Sequence, residues 1–239
     1  MSEKSESTQG TPILSLLGDA LEYPLRRWPW WLVIAGCASL NVALFWVGQH
    51  SQRLPGGLVY GSLLLYGVII RCYFSAMETT VSGYGEEAWQ GSGFSMDGLW
   101  SSMGTILGLA AVSWAPALLL AFVLESNEMS LEPWVSIAGA LGCEYFCMAL
   151  IGTVVFGGFA GALPQHVLPA IMRSGLSYGV ASLSLMVIPW TLEFAYQTWW
   201  QKGLPGMLAT FVVMAYVLLA QARMTGLVYL ANKEKIAWE

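Results

Sequence analysis

Along this chain, polar positions cluster in short segments between long apolar runs. Six runs reach the roughly 20 residues that a helix needs to cross ~30 Å of bilayer hydrocarbon: residues 30–48, 56–77, 99–124, 132–160, 176–197 and 205–230. The breaks between them carry recognisable punctuation. Leu54-Pro55-Gly56, Glu132-Pro133 and Leu204-Pro205-Gly206 each set proline at a helix start, where its missing N–H is not needed. A glycine-rich polar loop from Gly83 to Gly98 parts the second run from the third, and Gly161 to Gly175 parts the fourth from the fifth. The pattern predicts an all-α polytopic membrane protein with six transmembrane helices.

Ahead of the first run, residues 12–27 have leucines at 14, 17, 21 and 25, with Asp19, Glu22 and Arg26 between them. Spacings of three and four put those leucines on one stripe, as in an amphipathic helix lying in the membrane interface. Pro24 is placed to turn that helix into the first span. Leu163 to Arg173 is a candidate for a second, shorter surface element. The expected organisation is a polar tail at 1–11, the interfacial helix at 12–27, a six-helix domain at 28–231 and a tail at 232–239.

Composition narrows the class further. Of 239 residues, 56% are hydrophobic and 10% charged, against ~25% charged in soluble proteins. Mean hydropathy is +0.59. So few charges cannot cover a globule in water, which excludes a soluble enzyme and a disordered chain. A formal charge of −5 argues against a nucleic-acid partner. The expected partners are the lipid bilayer and other membrane proteins. Cys37, Cys72, Cys143 and Cys147 lie in apolar runs without a CxxC pair, and His50 and His166 are far apart in sequence. Zinc needs about four ligands at close spacing, so neither a metal nor a cofactor is expected.

Orientation follows from the basic residues. With an internal N-terminus, the inner side holds Lys4, Arg26, Arg27, Arg71, Arg173, Arg223, Lys233 and Lys235, and the outer side holds Arg53 and Lys202. Both termini are then cytoplasmic. Tryptophans agree: Trp28, Trp30, Trp31 and Trp100 fall at the inner boundary, and Trp46, Trp134, Trp199 and Trp200 at the outer one. Indole favours the headgroup layer because it is apolar with one N–H to satisfy. Trp114 and Trp190, beside Pro116 and Pro189, sit deeper and are expected to fill space near kinks.

Charges inside spans are costly and are the leading functional candidates. Glu144 lies about 16 Å into the fourth span, and Arg71 and Arg223 lie about 24–27 Å from the outer ends of theirs. Two arrangements are open. Either arginine, or both, neutralises Glu144; or the arginines snorkel to the inner surface and Glu144 is protonated or faces a polar crevice. Small residues recur at spacing four (Gly104 and Gly108, Ala138 and Gly142, Gly157 and Gly161), which lets helix backbones approach closely.

The order of Leu21-Glu22-Tyr23-Pro24-Leu25 before the first span, Gly67 to Arg71 closing the second, a loop ending Met96-Asp97-Gly98-Leu99, and a third span with Ala115-Pro116 is similar to a family of uncharacterised prokaryotic six-span membrane proteins. The resemblance covers roughly residues 15–230 and implies a compact helical domain in a prokaryotic inner membrane, with no activity to transfer. A looser similarity is to membrane subunits of ABC-2-type exporters. The glycine-rich loop at 78–98 departs from these, lacking a clear helix on which an ATPase docks.

Two functional classes remain. A non-catalytic subunit that scaffolds, anchors or completes a larger membrane complex is favoured by short loops, small-residue faces and few buried charges. A small-solute permease or exporter subunit is favoured by Glu144 with Arg71 and Arg223, and by the prolines of the third and fifth spans. An enzyme is not expected, because no nucleophile, base or metal set stands in register.

Overall fold

A computed structural model describes residues 13–50, 56–83, 95–127, 134–184, 187–199 and 202–238. The polar tail at 1–11, the loop residues 84–94, Arg53, Glu128, Glu132 and Trp200 lie outside the described residues, as do the side chains of Trp28, Trp30, Trp31 and Trp46.

The described regular structure is helical throughout: α1 (Ile13–Arg26), α2 (Trp28–His50), α3 (Gly56–Val81), α4 (Met96–Ser126), α5 (Trp134–Val155), α6 (Pro164–Leu183), α7 (Val187–Thr198) and α8 (Leu204–Ile236), with a 3₁₀ turn at Phe159–Ala162 between α5 and α6. Four helices among the described residues are long and apolar enough to cross a membrane: Tyr60–Val81, Met96–Ser126, Trp134–Val155 and Pro205–Ile236. In α2 the described apolar stretch is shorter, Leu32–Leu44.

The run at 176–197 is not one helix. Gly175 takes φ 67° and ψ −158°, a kink that no side chain would favour. Helix then continues only to Leu183 before α7 begins at Val187. Pro189 sits in the first turn of α7, where its lacking N–H costs nothing. Proline here starts a helix rather than kinking one. Trp190 follows it and is 78% exposed, so it does not fill interior space. Pro116, by contrast, is carried within the unbroken α4.

The boundaries of two other runs differ as well. α5 stops at Val155 instead of running to 160, because Gly157 takes φ 68° and turns the chain back. α8 continues to Ile236 through what the sequence pattern assigns to a tail. Ile236 is buried, and its carbonyl accepts a hydrogen bond from Arg173 Nη1 at 3.1 Å. That bond satisfies one of the carbonyls a helix end leaves unpaired. Trp238 then packs edge-on to Phe156.

α8 is the axle of the bundle, touching α1, α2, α3, α5, α6 and α7. α2 and α3 pack against it most extensively, and α5 reaches it only in the core. Residues Cys72–Met77 of α3 and Phe146–Thr153 of α5 are buried on every side, so these segments show no amphipathic stripe. Lipid is as apolar as leucine, so these contacts stabilise chiefly through close packing.

Close packing is most exacting where the turn after α5 folds back. A Cβ on Gly152 would overlap the Gly161 carbonyl, and one on Gly161 would overlap the Gly152 carbonyl. Tyr145 Oη donates to the Ala162 carbonyl at 2.5 Å and fastens the same return. Gly161 therefore contacts α5 from the 3₁₀ turn, not from within a span. A Cβ on Gly104, another of the small residues, meets nothing within 4 Å among the described residues.

α1 has three faces. Leu16 and Ala20 are buried against the bundle, Glu22 and Arg26 form a polar edge, and Leu14, Leu17, Leu21 and Leu25 are all exposed. The leucine stripe thus points away from the protein. Gly152→Ala is expected to destabilise the fold by roughly 1–3 kcal/mol, the usual cost of overpacking, whereas Gly104→Ala is expected to leave it unchanged or slightly firmer. Thermal unfolding of the two variants in the same detergent measures the contrast.

Candidate functional site

The three charged candidates occupy three separate places. Arg71, half-buried on α3, directs Nη1 to Glu78 Oε1 at 3.3 Å. The two residues are seven apart, which is two turns and therefore one face of the helix. The arginine stem runs along the helix toward the Val81 end, the direction expected of a snorkelling side chain. Glu78, whose side chain is 39% exposed, meets it there.

Arg223 of α8 is held more fully. Its Nε and Nη2 donate to Asp19 Oδ2 at 3.1 and 2.8 Å, and Nη1 donates to Thr80 Oγ1 at 3.2 Å. The guanidinium also lies 5.2 Å from the centre of the Tyr23 ring, within reach of a cation–π attraction. One side chain thus ties α1, α3 and α8 together. Asp19 is also approached by Arg26 at 3.5 Å, but that pair is solvent-facing and adds little.

Glu144 is half-buried on α5 beside α6. Its backbone carbonyl accepts a hydrogen bond from the Tyr178 hydroxyl, and its carboxylate lies near Gly179. Among the described residues no ion pair joins Glu144 to either arginine. Depth separates Glu144 from Arg223: Glu144 stands eleven residues, about 16 Å, before the end of α5, whereas Arg223 is level with Thr80, one residue before the end of α3. Arg71, ten residues before the end of α3, is at a depth similar to Glu144 but turns to Glu78 of its own helix.

A fourth polar cluster lies in the core. The Tyr73 hydroxyl donates to Gln221 Oε1, and Gln221 Nε2 donates to Thr225 Oγ1 at 2.9 Å and approaches Cys147 Sγ at 3.7 Å. Thr225 Oγ1 donates in turn to the Gln221 carbonyl at 3.0 Å. All four side chains are buried. A buried network whose members satisfy one another fixes a single packing of α3, α5 and α8.

Sequence reading singles out Arg71, Glu144 and Arg223 but misses Asp19, Glu78 and Gln221. Glu78 had a usable signal, an acid two helical turns from an arginine. Asp19 had a weaker one, since it is the acid of α1 nearest the buried side of that helix. Gln221 had none beyond being polar inside an apolar run.

Beside the Arg71–Glu78 pair is an open cleft of about 200 Å³ between α3, α4 and the end of α5. Ser101, Ser102, Thr105 and Thr153 supply its hydroxyls, and Gly157 and Gly158 supply a wall without side chains. Comparison with protein-family models, with curated proteins and with solved structures gives no match for this chain.

Arg223 and Asp19 are expected to be coupled. In a double-mutant cycle of Asp19→Asn and Arg223→Gln, each single change lowers stability by about 1.5–3 kcal/mol, as for a hydrogen bond to a charged group. The double change costs clearly less than the sum. Melting curves of the four proteins give the coupling, and additive losses would show that the two side chains act independently.

Proposed function

We propose that this chain is a non-catalytic integral membrane subunit that scaffolds, anchors or completes a larger membrane complex. In this reading it crosses a prokaryotic inner membrane six times, α1 lies in the cytoplasmic interface, and both ends are cytoplasmic. Such an arrangement also accords with the resemblance to uncharacterised six-span proteins.

The observation that carries the reading is the contrast between α4 and the rest of the bundle. Only 17% of the apolar window of α4 is buried, against 56% for α5. Leu107, Leu118 and Phe122 are each more than 60% exposed along it. Gly104 and Ala111 are exposed among them and leave shallow gaps that a neighbouring helix fills better than lipid chains do. Meanwhile Arg71, Arg223, Tyr73 and Gln221 are engaged with groups of the same chain. Interior polar groups serve internal cohesion, and the outward face is apolar and partly smooth. That division of labour suits a subunit better than a solute pathway, in which Glu144 and the two arginines would share one site.

The test is solubilisation in mild detergent followed by sedimentation and identification of companions. A complex of fixed stoichiometry is expected; a monodisperse 26.0 kDa monomer would count against the subunit role. Topology is checked separately. Single cysteines at Ser95 and Lys235, in a cysteine-free background, are expected to react with an impermeant thiol reagent only from the cytoplasmic side, and one at Ser126 only from the opposite side.

A further inference from the structure

The cleft beside Arg71 and Glu78 has the properties of a binding site for a zwitterion. Its two charges are opposite and adjacent, 3.3 Å apart, with the arginine side chain 19% exposed and the glutamate 39%. A simple anion drawn to Arg71 would be repelled by Glu78, and a simple cation would meet the reverse. A molecule with both charges satisfies both. The guanidinium has five N–H donors and the carboxylate two oxygens, while their mutual contact uses one of each.

Hydroxyls add directionality. Ser102 is only 7% exposed, lines the cleft, and makes no side-chain hydrogen bond to a described residue. Its O–H is available to a ligand oxygen. Thr105 and Thr153 donate to the carbonyls of Ser101 and Leu150, so their oxygens can still accept. The cleft reaches from near the end of α3 up to Arg71, ten residues or about 15 Å along the helix. In a membrane that depth covers the headgroup layer and the start of the acyl chains.

We propose that this cleft binds the phosphoethanolamine headgroup of a membrane phospholipid, with the phosphodiester on Arg71 and Ser102 and the primary ammonium on Glu78. A primary ammonium has three donors for the carboxylate and hydroxyls. A trimethylammonium has none and is recognised by aromatic faces, whereas among the described residues the lining contains one aromatic side chain, the buried Phe74. Phosphatidylglycerol offers the phosphate alone and leaves Glu78 facing an anion. The proposal rests on membrane placement and not on the subunit role, so the two fail separately.

Native mass spectrometry of the protein released from vesicles of equal phosphatidylethanolamine, phosphatidylglycerol and phosphatidylcholine tests it. Phosphatidylethanolamine is expected to be retained about tenfold over each of the others, the factor of one charge-assisted hydrogen bond. Glu78→Gln is expected to abolish its advantage over phosphatidylglycerol, and Arg71→Gln to weaken both. Because these changes break an ion pair, Gly158→Leu provides an independent variant. Gly158 has extended backbone, and a Cβ there meets nothing within 4 Å among the described residues. Leucine should fill the cleft and lower retention without shifting the melting temperature. Equal retention of the three lipids, or a preference that survives both Glu78→Gln and Gly158→Leu, would overturn the proposal. Saturable calorimetric binding of soluble glycerophosphoethanolamine by the delipidated protein, with no lipid enriched, would overturn the lipid source and leave the zwitterion chemistry to a dissolved ligand.

Discussion

A bilayer interior offers no water to a polar group, so every arginine, carboxylate, amide or hydroxyl that enters it must find its partner in the chain or in a ligand. Much of this architecture follows from that constraint. Arg223 is matched by Asp19 and Thr80, Tyr73 by Gln221, and Gln221 by Thr225. Each match crosses between helices or secures one, so the same bonds that remove a penalty also choose how the helices stand. α1 illustrates the point. Leu16 and Ala20 supply its packing, but the Asp19–Arg223 bond sets its rotation and leaves the leucine stripe facing outward.

Arg71 obeys the same constraint with a different outcome. Its acid is on its own helix, so the pair holds no second element in place. It neutralises a charge within the helix and opens onto a cleft walled by α4 and the end of α5. A self-contained pair at the edge of a bundle is free to meet a ligand in a way that the enclosed Arg223 is not.

Much of the helical layout is legible in the sequence alone. Runs of some twenty apolar residues located α3, α4, α5 and α8, and Leu204-Pro205-Gly206 marked α8's beginning. The leucine positions at 14, 17, 21 and 25 marked the outward stripe of α1. What misled was local chemistry with two possible uses. Its position between two apolar halves of one run suggests a kink at Pro189, which in fact opens α7, and its spacing to Gly161 suggests packing at Gly157, which in fact turns the chain. Its depth in the run suggests an interior Trp190, yet the side chain is exposed. In each case the residue type was informative but its role depended on where the neighbouring chain went.

The sequence by itself determined which segments are helical and oily, because apolar length and helix punctuation are properties of consecutive residues. Tertiary structure decided which charges meet. Glu144 and the two arginines carry charges that invite pairing, yet Glu144 lies beside Gly179 of α6, Arg223 is taken by Asp19 and Thr80 nearer the helix ends, and Arg71 is taken by Glu78 of its own helix. Asp19 and Arg223, 204 residues apart in the chain, meet because α1 folds back onto α8. Ion pairing falls off within a few ångströms, and separation on that scale is set by the packing of helices, which no local pattern of residues records.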